Sequence, residues 1–219
     1  MTKRRVWFAV LLLFVGTALI RADVAGARQQ IYLFKPLATM LLLLMVVGAA
    51  PRPSTRYRTL IATALGWSLV GDVLLMLPSN LFAAGLGCFL VAHLCYVAAF
   101  ATHGAGRAAA PAGIAPFAFL AGVMLAALWP VLGALRIPVA LYIGVISTMA
   151  WQAWARWHSV RSPGALRAAI GSLFFLTSDS VLSFNRFRGP IGDRAMVTII
   201  ILSTYLVAQY LIASSVGDE

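Results

Sequence analysis

Long apolar runs separated by short polar breaks constrain this chain more than any other feature. A helix that crosses the hydrocarbon core of a bilayer needs about 20 mostly apolar residues, and backbone at that depth has to satisfy its own hydrogen bonds. Runs at 6–20, 31–50, 59–77, 81–101, 114–132, 137–155, 165–184 and 195–213 therefore predict an all-α polytopic membrane protein, a bundle of about eight transmembrane helices. Hydrophobic residues make up 62% of the sequence and charged ones only 11%. No polar break is long enough for a soluble domain, so residues 1–219 are expected to form a single integral membrane domain. The first run is short and is expected to extend toward Val24, with Arg21 reaching back to the interface. "TKRR" ahead of an apolar core also resembles a secretory leader. The run is read as a span because no small-x-small cleavage site leads into a soluble domain.

An even number of spans puts both termini on one side. Lys3, Arg4, Arg5, Arg52, Arg56, Arg58, Arg107, Arg156, Arg161 and Arg167 then share the amino-terminal side, and Arg21, Arg28, Arg136, Arg186, Arg188 and Arg194 the other. The excess of basic residues places the termini in the cytoplasm. The alanine- and arginine-rich character, with "APRPSTRYR" in the second break, suggests a bacterial inner (plasma) membrane. The net charge of +11 is thus a topology signal and an attraction to anionic membrane lipids. Basic residues do not interleave with aromatics on a polar face, so no nucleic-acid partner is expected. Cys88 and Cys95 lie on one face of one predicted helix, where they read as packing residues that cannot form a disulfide with each other. Zinc requires three or four convergent ligands, and His93 is the one histidine at membrane depth. Neither metal nor other cofactor is expected, and the oligomeric state is left open.

Of six acidic residues, Asp23, Asp193, Asp218 and Glu219 fall in breaks or at the tail and read as solvated. Asp72 in "GWSLVGDVLLML" and Asp179 in "GSLFFLTSDSVLSF" do not. A carboxylate at the centre of a span costs about 3 kcal/mol, which calls for a partner or a chemical task. Each lies about two thirds along a run crossing in the same direction, so both should reach similar depth. Lys35 in "YLFKPLATM" enters from that side, and Pro36 frees a backbone carbonyl beside it. Arg186 follows Asp179 by two helical turns on the same face. Together these four residues predict a charged pocket opening toward the non-cytoplasmic half. Ser68 and Ser183, each four residues from an aspartate, share the aspartate's face, and Asn185 lies near the mouth. The serines equally fit a role in bonding their own backbone or joining helices. His93 and Tyr96 share a face and are expected deeper, toward the cytoplasm, as either core or pocket residues.

"KPL" opening the second run, "GD" before leucines in the third, "H..Y" in the fourth and "F..SDS.L..F" in the seventh, in that order, resemble the YhhN family of membrane proteins. Animal members of that family are lysoplasmalogenases. The resemblance covers nearly the whole chain and implies hydrolysis of the vinyl ether bond of a lysoplasmalogen, releasing a fatty aldehyde and a glycerophospho-alcohol. It carries over Lys35, Asp72, His93, Tyr96, Ser178 and Asp179, with the two aspartates as the implied catalytic pair. Two carboxyls suit this chemistry, because protonating the β carbon of a vinyl ether creates an oxocarbenium ion that water captures. One carboxyl, held neutral by apolar surroundings, would be the acid; the other, ionised beside Lys35 or Arg186, would stabilise the cation and orient water. The more apolar neighbours of Asp72 nominate it as the acid, with Asp179 as stabiliser or base. Alternatively, the cations would bind a lysophospholipid or ether-lipid phosphate. A serine esterase is disfavoured because "G.S.G" is absent.

Transport is the competing function. Paired membrane carboxylates also form proton relays, and the third and seventh runs overlay weakly on their aspartates, as in a duplicated four-span unit. A proton-coupled carrier of small molecules or lipids would need a path through the bundle, whereas a hydrolase would need a pocket open at one side.

Overall fold

The computed structural model describes residues 3–50, 53–78, 81–102 and 111–217. Arg52, His103, Arg107, Asp218 and Glu219 lie outside the described residues, as do the side chains of Lys3 and Arg4. The regular structure among the described residues is helical: α1 (Lys3–Val24), α2 (Arg28–Val47), α3 (Thr55–Met76), α4 (Phe82–Phe100), α5 (Ala115–Leu128), α6 (Arg136–Val160), α7 (Pro163–Phe187) and α8 (Arg194–Ser214). Seven are long and apolar enough to cross a membrane, so the chain is an integral membrane bundle.

The shorter helix is α5. Pro130 lacks the N–H that would carry the α-helical ladder onward, so the α-helix stops at Leu128 and continues only as 3-10 turns at Trp129–Val131 and Gly133–Leu135. The apolar run at 114–132 is thus a 14-residue α-helix with tighter extensions rather than one regular span. Other helix starts carry caps that satisfy orphan backbone donors. Ser54 accepts from the Tyr57 N–H at 3.1 Å, Ser162 from Ala165 at 3.0 Å, and Asp193 from Ala195 and Met196 at 2.9 and 3.3 Å. Asp193 is therefore the cap of α8 rather than a merely solvated loop acid. Asp23, likewise expected in solvent, accepts from Thr198 Oγ1 at 3.2 Å and ties α1 to α8.

The seven long helices pack as a ring, α1–α2–α3–α4–α6–α7–α8, and α8 returns to α1. Helix α5 lies outside, against α6 and the end of α7. Glycines set the tightest joints, because in lipid helices associate through close packing. A Cβ on Gly71 would meet the Phe89 ring at 2.8 Å, and one on Gly85 the Leu75 side chain at 2.6 Å, which fixes α3 against α4. A Cβ on Gly171 would meet the Ala208 backbone carbonyl at 2.9 Å, so α7 and α8 approach backbone to backbone there.

The start of α1 and the end of α8 lie at one end, where the Arg5 guanidinium donates to the Val216 carbonyl at 2.9 Å. That half is densely filled: Tyr57, Tyr96, Phe100, Phe175 and Arg156 are all fully buried. Tyr96 stacks on Phe100, and the Arg156 guanidinium lies 4.5 Å from the Tyr57 ring centroid.

Candidate active site

At the opposite end a narrow cleft enters the centre of the ring, with about 70 Å³ of interior space. Its walls come from six helices. Lys35 lies on α2; Asp72 and Leu75 on α3; Phe82, Leu86 and Phe89 on α4; Val139 and Tyr142 on α6; Ser178, Asp179, Leu182, Ser183 and Phe187 on α7; Ile201, Leu202 and Tyr205 on α8. The wall is mostly apolar, with the polar groups concentrated at its inner end around the two aspartates.

Asp72 is 1% exposed and receives three donors. Lys35 Nζ lies 3.3 Å from Oδ1, while Thr39 Oγ1 and the Tyr205 hydroxyl donate to Oδ2 at 2.9 and 2.7 Å. Lys35 and Thr39 are four residues apart on α2 and reach the carboxyl from one face. A second layer holds Tyr205: Gln209 Nε2 donates to its hydroxyl at 3.2 Å, and Tyr96 donates to Gln209 Oε1 at 2.6 Å. The ion pair offsets a desolvation cost that an isolated buried carboxylate could not meet.

Asp179 has a different setting. Its side chain is 14% exposed, its Oδ2 accepts from the Tyr142 hydroxyl, and His93 Nε2 stands 3.5 Å away. His93 Nε2 is also within 2.8 Å of the Tyr142 oxygen. Phe175 lies between the two stations, with ring centroids 5.5 Å from Tyr205 and 4.7 Å from His93.

The structure joins Lys35 to Asp72 as expected and brings both aspartates, Ser178 and Ser183 to one cleft. It moves other expected residues elsewhere. His93 is not deeper than the aspartates but beside Asp179. Side chains lean toward the N-terminus of their own helix. Helix α4 begins at the cleft end and α7 at the other, so His93 leans up and Asp179 down, and they meet. Arg186 does not approach Asp179; it is exposed, and its guanidinium stacks 5.1 Å from the centroid of Phe82. Tyr96 is fully buried and serves Gln209, and Ser68, also fully buried, lies away from the cleft lining. The Ser178 hydroxyl donates to the Ile201 carbonyl at 3.0 Å, joining α7 to α8. Asn185 is half-buried and does not line the cleft.

Thr39, Tyr142, Tyr205 and Gln209 escaped the reading of the sequence. Thr39 could have been found by its spacing from Lys35, and Gln209 as an uncharged polar residue within an apolar run. The tyrosines carry no such signal, since a tyrosine in an apolar helix looks like a packing residue.

The YhhN family pattern matches residues 30–216 of the chain. The chain belongs to the YhhN family. It is 36% identical to human lysoplasmalogenase TMEM86A over 170 residues, covering 74% of this chain and 66% of that protein. It is 34% identical to a Mycobacterium tuberculosis lysoplasmalogenase over 180 residues, 78% of this chain and 65% of the relative. The membrane protein YhhN of Escherichia coli O157:H7 is 29% identical over 197 residues, 90% and 91% of the two chains. The chain therefore spans about two thirds of the length of the two lysoplasmalogenases and nearly all of the bacterial YhhN protein. No solved structure matches it. The enzyme class expected from the sequence agrees with the names these human and mycobacterial relatives carry.

Proposed function

We propose that this chain is a membrane-embedded hydrolase that cleaves the vinyl ether bond of a lysoplasmalogen, or of a related lysolipid or ether lipid. The observation that carries the reading is one cleft presenting two carboxyl groups in opposite electrostatic settings. The relatives named lysoplasmalogenase support it.

Hydrogen-bond directions revise the roles expected from sequence. Lys35, Thr39 and Tyr205 all point donors at Asp72; this is a site for a carboxylate, since a proton on Asp72 would compete with one of them. Among the described residues Asp179 has no lysine or arginine in ion-pair contact, and it keeps Oδ1 clear of the Tyr142 bond. Asp179 is thus the proton donor and Asp72 the anion. Asp179 delivers its proton to the β carbon, a C–H bond forms from the C=C electrons, and positive charge spreads over the α carbon and the ether oxygen. The Asp72 carboxylate faces that charge, a stabilisation that counts most where water is excluded. Water adds to the α carbon and its proton returns to Asp179. The hemiacetal then collapses: its C–O bond to glycerol breaks, the hydroxyl proton passes to the departing oxygen, and aldehyde and alcohol leave. One water is consumed and the enzyme is regenerated.

The cleft is smaller than the several hundred Å³ of a typical ligand pocket, so it admits the reacting bond while the alkenyl chain lies along the apolar wall. Arg186, at the Phe82 side of the mouth and without an ion pair among the described residues, would take the phosphate. The cleft floor, filled by Phe175, Tyr96 and Phe100, favours an enzyme over a carrier, which would need a path onward. We place both termini in the cytoplasm of a bacterial inner membrane, with the chain as a single membrane unit; the basic residues at the terminus-bearing end support that orientation.

The test is aldehyde release by purified protein from a lysoplasmalogen, beside a saturated ether analogue, for wild type and for Asp72→Asn and Asp179→Asn. Aldehyde from the vinyl ether alone, lost in both folded variants, is expected. No aldehyde from an intact, lipid-supplied preparation refutes the reading and would turn attention to proton-flux assays.

A further inference from the structure

His93 is fully buried and does not line the cleft, yet its Nε2 stands 3.5 Å from the carboxyl of the proposed acid. Two observations define its proton. Tyr142 has one hydroxyl proton and gives it to Asp179 Oδ2; the 2.8 Å contact with His93 Nε2 therefore requires Nε2–H to be the donor. Independently, His93 Nδ1 is buried with no hydrogen-bond partner, so a proton there would be an N–H facing no acceptor, a costly arrangement. Both select the Nε2–H tautomer. Edge contacts with Phe175 and Tyr142, at 4.7 and 5.2 Å between centroids, fix the ring plane.

We infer that His93 and Tyr142 form a one-way donor string, His93 Nε2–H to Tyr142 O–H to Asp179 Oδ2, that positions the acid. With Oδ2 tied into the string, the catalytic proton resides on Oδ1, the oxygen that the string leaves free. The string also steadies the carboxylate that remains after the proton has gone to the substrate, because a donor whose own oxygen accepts a hydrogen bond is a stronger donor. His93 is a positioning residue: it acts through Tyr142 and not on the lipid. The inference rests on the hydrolase reading for its consequence on rate, but the string itself is a property of the protein alone.

Two measurements test it. In steady-state assays of aldehyde release, His93→Phe, which keeps an aromatic ring and loses the N–H, lowers kcat roughly tenfold with KM unchanged; Tyr142→Phe lowers it roughly a hundredfold. His93→Gln, whose amide N–H reaches the same place, recovers most of the rate. Equal losses in His93→Phe and His93→Gln would mean packing alone, and wild-type rates in both would leave the string without a role; either overturns the inference. The second measurement needs no activity. The infrared carboxylic-acid band that disappears in Asp179→Asn is expected to move to higher wavenumber in Tyr142→Phe, and less far in the same direction in His93→Phe. An unmoved band, or no band assignable to Asp179, overturns the inference. If the wild type releases no aldehyde, the hydrolase reading falls while the infrared result still decides the string.

Discussion

The two aspartate stations share a design and differ in one component. Each carboxyl accepts a tyrosine hydroxyl that is itself backed by a side-chain nitrogen: Tyr205 with Gln209 at Asp72, Tyr142 with His93 at Asp179. Only Asp72 adds a lysine and a threonine. Among the described residues a full positive charge pairs with one carboxyl and none with the other, and the proposed division into anion and acid rests on that difference. Such an asymmetry is how paired carboxyls come to play acid and anion.

Breaking the two stations should give unequal results. Asp179→Asn removes the proton donor and should lower kcat by about 10³-fold or more, whereas Asp72→Asn keeps the shape and loses only the stabilising anion, at about 10²-fold; aldehyde release under saturating substrate distinguishes them. Lys35→Met strands the Asp72 carboxylate and should cost roughly 3 kcal/mol of stability. The double change Lys35→Met with Asp72→Asn should recover most of that loss, which thermal unfolding in detergent would reveal. Arg186→Gln acts outside both stations, so KM for a phosphate-bearing lysolipid should rise several-fold with kcat held, read from saturation curves. Ser178→Ala, which loses the hydrogen bond to Ile201 between α7 and α8, should cost about 1 kcal/mol in the same unfolding assay.

The Lys35–Asp72 pair was legible because a lysine and an aspartate deep in apolar runs have few places to go except each other. Arg186 was less so: near an interface a long cationic side chain has water, headgroups and ring faces to choose from, and here it takes Phe82. Counting turns misjudged His93, because depth read from Cα positions ignores the opposite lean of side chains on antiparallel helices. The α5 segment looked like another span by hydropathy, yet Pro130 ends it early. The tyrosine hydroxyls that finish both stations were hidden, since polarity confined to one atom at the tip of an aromatic ring leaves no trace in an apolar pattern.

Around the ring, α3 approaches α4 closely at Gly71 and Gly85, and α7 is held to α8 both at Gly171 and through Ser178. Helices α4 and α7 meet chiefly through side chains, among them Phe82 against Phe187, edge to face at 5.7 Å, and both rings line the cleft. A doorway hung on two aromatic rings can widen by rotamer change without parting the helices. Side-chain rotations are orders of magnitude faster than the microsecond-to-millisecond shifts of packed helices. On the proposed function, a lipid would come and go while the bundle that holds Asp72 and Asp179 in register stays still.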